Sequence, residues 1–211
     1  MSTSTAEANP TENARTRHRP PVHEQHVDGF GTVRVTPLDP TADLDVIHPW
    51  VTHERARFWG MTGCTREQVH EIYAYLDTLT THHAYILHRD HQPVAIFQTY
   101  DPAADRVSEC YSVEPGDVGM HLLIAPVGGG AAEPGFTHHL LSVFIRFVFA
   151  TPTHRRLIAE PDARNEKAIT RLTHAGFVLG PEIILPEIDI PDVHLPEKRA
   201  RLVIFDRDPS T

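Results

Sequence analysis

The chain is poor in cysteine, in basic charge and in long apolar runs, and each shortage excludes a class of protein. Two cysteines, Cys64 and Cys110, in 211 residues cannot build a disulfide-dense scaffold or a four-cysteine zinc site. Lys and Arg number 19 against 28 Asp and Glu, a net charge of −9, so bulk electrostatic binding to nucleic acid or to an anionic membrane is not expected. No apolar run approaches the roughly 20 residues of a spanning helix. The opening residues lack the apolar stretch of a secretory signal. The expectation is a protein of a reducing compartment, most simply cytoplasmic. Histidine, by contrast, is abundant at 16 residues, which raises the question of metal. Adjacent histidines such as His82-His83 and His138-His139 point to different faces of a strand or helix. No set has the H-E-x-x-H spacing, and no metal site is expected.

Residues 1–28 hold Ser, Thr, Asn, Pro and charge with almost no large apolar side chains, which predicts a disordered tail. One folded domain is expected over 29–207, with a short tail at 208–211. Alternation predicts a strand over 32–38, and helical spacing follows over 42–51. A clearer helix spans 65–80: Thr65 and Gln68 form a capping-box pattern, and Val69, Ile72, Tyr73, Leu76 and Leu79 share one face. Strand-like runs at 84–88 and 93–100 flank a turn and read as a hairpin. Further runs stand at 107–113 and 119–125. A glycine-rich stretch leads into an apolar helix over 137–150, then a strand over 156–160 and a helix over 163–175. Gly176 suits the left-handed position that ends that helix. Late strands read at 177–179 and 200–205. Between them prolines recur at 181, 186, 191 and 196, each followed by an acid, which forbids a helix and excludes a central strand. The order predicts an α/β (α+β) domain, a mixed sheet flanked by helices.

Three features could carry chemistry. Gly128, Gly129, Gly130 and Gly135 lie between a strand and a helix, where exposed backbone N–H groups and a helix start favour phosphates. A merely flexible loop is the other reading, since no P-loop or dinucleotide fingerprint is present. His121 interrupts the apolar run Met120-His121-Leu122-Leu123-Ile124. It is either a hydrogen-bonded core residue or a functional one that needs a partner. Glu160-Pro161-Asp162-Ala163-Arg164-Asn165 supplies a candidate at a strand-to-helix junction. Asp162 could equally cap the helix.

These segments resemble the GNAT N-acyltransferases. Asn165, Ala168, Leu172, Gly176 and Phe177 are similar to the helix and strand that close the acyl-CoA site of that family. Several pieces resemble its siderophore-biosynthesis branch, which acylates N-hydroxylated amines to hydroxamates. They are Trp50-Val51, Phe58-Trp59-Gly60-Met61, the run from Pro115 to Leu123, Pro134-Gly135-Phe136-Thr137 and the run from Glu160 to Asn165. The proline-rich stretch from Leu185 to Ala200 is similar to desferrioxamine-pathway members, which act on N-hydroxycadaverine.

The resemblance implies a GNAT fold over about 30–206 and acyl-CoA, as succinyl- or acetyl-CoA, as co-substrate. It implies His121 and Asp162 as the active-site pair. It assigns Leu123, Ile124, the four glycines, Phe136, Thr137 and Asn165 to the acyl-CoA. Trp50, Phe58, Trp59 and Gln98 would border the acceptor; the three aromatics also read as core. Leu172 stands where many relatives place the tyrosine that protonates the leaving thiolate, so that role falls elsewhere. Glu187 and Asp189 belong to an acidic stretch free of Lys and Arg before Lys198. It either rims the acceptor groove, favouring a diamine, or is a solvated loop. Rival readings are an N6-hydroxylysine acyltransferase, a GNAT enzyme acting on an ordinary amine, and a non-catalytic acyl-CoA-binding module.

Overall fold

The computed structural model describes residues 19–126, 133–190 and 193–207. Its order is β1 (His23–Val27), β2 (Gly31–Pro37), α1 (Leu44–Val51), α2 (Arg66–Thr78), β3 (His82–Arg89), β4 (Gln92–Tyr100), β5 (Asp117–Ile124), α3 (Phe136–Phe149), β6 (Arg156–Ala159), α4 (Glu166–His174), β7 (Val178–Leu185), β8 (Ile188–Ile190), β9 (Val193–Leu195) and β10 (Lys198–Asp206). A 3₁₀ helix, Glu54–Trp59, lies between α1 and α2.

Local chemistry sets several boundaries. The Thr65 hydroxyl accepts from the N–H of Gln68 at 3.2 Å, and the Gln68 side chain accepts from the N–H of Thr65 at 2.8 Å, which starts α2. The β3–β4 hairpin turns on Asp90 and His91, both at positive φ (46° and 73°), the conformation a two-residue turn requires. At Gly176 φ is 101°, and Phe177 N–H reaches Leu172 C=O at 3.0 Å, closing α4.

Eight strands form one sheet in the order β1-β2-β3-β4-β5-β6-β10-β7. Neighbours are antiparallel except β5 and β6, which are parallel. The period-two alternation divides the core. On β4, Phe97 packs toward α3 with Phe144, Leu140 and Met120. Ile96 faces the other way, onto Ile47, Val51, Val69 and Tyr73 of α1 and α2. The β5–β6 ladder pairs Asp117–Gly119 with Arg156–Ile158 and ends there. Beyond Gly119 the β5 edge facing β6 is unpaired among the described residues, so the sheet opens as a cleft.

Three expectations need correction. Residues 23–27 are not part of a disordered tail: β1 pairs with β2, with Glu24 opposite Arg34 and their side chains 2.6 Å apart. A polar strand of this kind is held by its backbone ladder and carries no apolar run to announce it. The expected strand over 107–113 is instead the short 3₁₀ helix Arg106–Glu109, because the Asp105 carboxylate accepts the N–H of Val107 at 2.9 Å. The acidic stretch is not free of cations: Glu182 pairs with Arg199 and Arg201, which β10 brings alongside β7. Pro181 does sit on an edge strand, where its missing N–H costs nothing. The tail at 208–211 lies outside the described residues. Among those residues no helix is long and apolar enough to cross a membrane.

Candidate active site

The polar centre of the molecule forms where the ladder opens. Gly119 pairs with Ile158, so His121 and Glu160, each two residues further on, rise from the same face of two diverging strands. Their side chains bridge the opening: His121 Nε2 and Glu160 Oε1 are 2.8 Å apart. The other ring nitrogen, Nδ1, is 3.2 Å from Oε1 of Gln98, its direct cross-strand neighbour on β4. As placed, Nε2 faces the Glu160 carboxylate and Nδ1 faces the Gln98 side-chain amide. The Trp59 ring stands edge-on to His121 at 6.3 Å, and the Tyr100 ring lies 5.0 Å away.

Glu160 is 4% exposed, and every partner it has favours the carboxylate. Tyr100 donates its hydroxyl to Oε2 at 2.7 Å, and Lys198 Nζ is 3.8 Å from Oε1. Burial alone would disfavour the charge. The His121 charge and hydrogen bond, with Lys198 and Tyr100, outweigh it and hold Glu160 down to about 2. Burial and the Glu160 charge push the Tyr100 phenol up, so it remains a neutral donor. The stability Glu160 contributes is therefore complete above its ordinary value of 4.5 and is lost as pH falls from there through about 2. Glu160→Gln should flatten the acid fall in stability across that window, read from denaturant midpoints; an unchanged profile would contradict the assignment.

Gly119 makes this cluster possible. A Cβ there would overlap the Tyr100 ring, which covers the glycine across the β4–β5 ladder. Gly119→Ala must drive Tyr100 from its place over Glu160. Overpacking of this kind costs about 1–3 kcal/mol. The variant should lose that much stability in urea titrations and lose turnover as well. Wild-type behaviour in both would show that Tyr100 has room to move.

The expected contact between His121 and Asp162 is not made. Both Asp162 carboxylate oxygens hold the Arg164 guanidinium, at 2.9 and 2.8 Å, and Oδ1 also accepts the Arg164 N–H. The physical reason is register. In a parallel pair, residue 160 shares the position of residue 121, whereas Asp162 lies past the strand end in a bridge with Ala200. Sequence reading missed Glu160 as the partner, and Tyr100 and Lys198 as its supports. The available signal was parity: Glu160 ends the apolar run Leu157-Ile158-Ala159 as His121 interrupts its own.

Other expected site residues are distributed as follows. Leu123 and Ile124 are half-buried on β5 beyond the end of the ladder. Gly128, Gly129 and Gly130 lie outside the described residues. Gly135 caps α3 at φ 78°, and Phe136 and Thr137 open that helix, whose first-turn amides lack intrahelical partners. The Asn165 side chain caps α4 at 3.2 Å from the N–H of Ala168. Trp50 is half-buried against the α1–α2 core. The Phe58 ring lies near the guanidiniums of Arg57 and Arg164. Glu187 and Asp189 are exposed at the β8–β9 hairpin, which Arg106 clamps through the carbonyls of Pro186 and Pro196 at 2.9 and 2.8 Å. Among the described residues no group of three His, Cys, Asp or Glu could hold a metal ion.

Residues 39–185 match the family model described as the acetyltransferase (GNAT) domain. The chain belongs to the GNAT acetyltransferase family. This GNAT chain is 30% identical over 179 residues to N(6)-hydroxylysine O-acetyltransferase of Escherichia coli, covering 80% of the chain and 50% of that protein. It is 37% identical over 84 residues to the lysine N-acyltransferase MbtK of Mycolicibacterium paratuberculosis, covering 39% of the chain and 37% of that protein. It thus spans about half the length of the first of these curated relatives. Among solved structures, an uncharacterized protein from Bacillus halodurans superposes with a TM-score of 0.72 at 21% identity, over 89% of this chain and 92% of that one. Aminoglycoside acetyltransferase AAC(6')-Ib in complex with coenzyme A gives 0.66 at 20% identity, over 83% and 95%. At these identities the likeness is one of fold, and the fold matches the mixed, helix-flanked sheet expected of a GNAT domain.

Proposed function

We propose that this chain transfers an acyl group from acyl-CoA to the hydroxylated nitrogen of an N-hydroxy amine, forming a hydroxamate. The observation that carries the reading is the His121–Glu160 contact at 2.8 Å across the open end of the β5–β6 pair. The thioester would lie along the unpaired edge of β5, past Leu123 and Ile124, where backbone N–H groups polarise its carbonyl. The pyrophosphate would meet the N-terminus of α3 near Gly135, Phe136 and Thr137. A hydroxylamine nitrogen is largely neutral near pH 7, so no ammonium has to be deprotonated first. The nitrogen attacks the thioester carbon, the C–N bond forms, and the C–S bond breaks to release CoA thiolate. The proton shed by the nitrogen goes to Nδ1 of His121, because Nε2–H is engaged by Glu160. Gln98 is the group that the incoming N–H displaces from Nδ1, and its carbonyl then accepts the imidazolium N–H. No covalent enzyme intermediate and no metal is needed. Chelator-treated protein should keep full activity; loss restored by zinc would overturn this account.

The acceptor we assign is N-hydroxycadaverine, with succinyl- or acetyl-CoA as donor, on the resemblance of the Leu185–Ala200 stretch. The two curated relatives, named for hydroxylysine and lysine, favour N6-hydroxylysine as the second reading. The acidic stretch supports the diamine less than its composition suggests, since Glu182 is already paired. Comparing kcat/KM for the two acceptors decides. The diamine should be preferred by a few-fold, the scale of partly exposed charge contacts of about 0.2–1 kcal/mol each. Equal values, or a preference for N6-hydroxylysine, would overturn the diamine assignment and leave the acyltransferase standing.

A further inference from the structure

The 3₁₀ helix Glu54–Trp59 and the bend after β6 carry residues that this mechanism does not use. Trp59 and Glu160 reach His121, but their near neighbours Phe58 and Arg164 reach each other. The guanidinium carbon of Arg164 is 5.7 Å from the Phe58 ring centre, and that of Arg57 is 4.6 Å from it. Arg57, Phe58 and Arg164 line a hollow that is open to solvent. An aromatic face forms its apolar part and two guanidiniums its polar part. Arg164 is held by Asp162 through Nε and one Nη, so its other Nη group has no acceptor among the described residues. Arg57 meets no carboxylate among the described residues. Two guanidiniums against the one carboxylate of Asp162 leave a net positive charge here, in a chain whose formal charge is −9. Arg55 of the same 3₁₀ helix likewise meets a cation, Arg171 of α4.

We infer that Arg57 and Arg164, which line one hollow with Phe58, receive a carboxylate at the end of a short aliphatic chain and set specificity for the substrate that carries it. The inference rests on the acyltransferase reading. The Phe58 ring packs against methylenes, and guanidinium N–H groups donate to the carboxylate oxygens. A terminal ammonium is repelled by the same charges. The carboxylate can come from a dicarboxylic acyl donor or from an amino-acid acceptor, and both present the same group.

The test measures kcat/KM for acetyl- and succinyl-CoA, each with N-hydroxycadaverine and with N6-hydroxylysine. Wild type, Arg57→Gln and Arg57→Lys are compared. Arg57→Gln should cost the carboxylate-bearing substrate about five- to tenfold more than its counterpart lacking the group, the scale of one partly exposed charge-assisted contact. Arg57→Lys should regain part of that difference. Arg164→Gln should discriminate more strongly, because it also leaves the Asp162 charge unopposed beside the hollow. A selective loss with succinyl-CoA places the carboxylate on the donor, and one with N6-hydroxylysine places it on the acceptor. An equal change across all four pairs, or none, overturns the inference while the acyltransferase stands. No turnover with any pair overturns both.

Discussion

Replacing His121 with alanine should lower turnover by roughly 10²–10⁴-fold, the usual worth of a positioned acid–base group. Acyl-CoA affinity should change little, because the donor is proposed to lie along the β5 backbone and the start of α3. The imidazole combines a carboxylate on one nitrogen with a side-chain amide on the other. Its side chain is 36% exposed, so a substrate can reach it, whereas Glu160 and Tyr100 are buried. A fall of less than tenfold with the fold intact would make His121 a packing residue and remove the proton acceptor from the mechanism.

Glu160→Gln should lower turnover by about 10²-fold, since the amide keeps the shape but no longer opposes the imidazolium charge. The effect should not add to that of His121→Ala, because the pair acts as one unit. Asp162→Asn offers the contrast. It leaves the His121–Glu160 contact in place, so its smaller effect should add to that of His121→Ala. Additivity for Glu160 instead of Asp162 would restore the pairing read from sequence.

The fold was legible wherever its signals were local. The capping box at Thr65, the turn at Asp90-His91 and the left-handed Gly176 each depend on a few neighbouring residues, and each is found in its expected role. What stayed hidden depends on partners distant in sequence. β1 is a strand because β2 offers its edge and Arg34 meets Glu24, and nothing within residues 23–27 states that. Val107 looked like the start of a strand, but Asp105 caps the backbone beside it into a 3₁₀ turn. The site divides in the same way. His121 was visible as a polar residue in an apolar strand. Choosing between Glu160 and Asp162 required knowing that β5 and β6 run parallel with Gly119 opposite Ile158. Glu182 looked unopposed because Arg199 and Arg201 follow it on another strand.

Nitrogen, and not oxygen, of an N-hydroxy amine is expected to receive the acyl group in the cleft held by His121 and Glu160. The most direct measurement follows two products in one reaction with N-hydroxycadaverine and succinyl- or acetyl-CoA: free CoA by thiol titration, and hydroxamate by its coloured ferric complex. One hydroxamate is expected for each CoA released, with both lost together in His121→Ala. CoA release without a ferric-binding product, as transfer to the hydroxyl oxygen or to water would give, would contradict it.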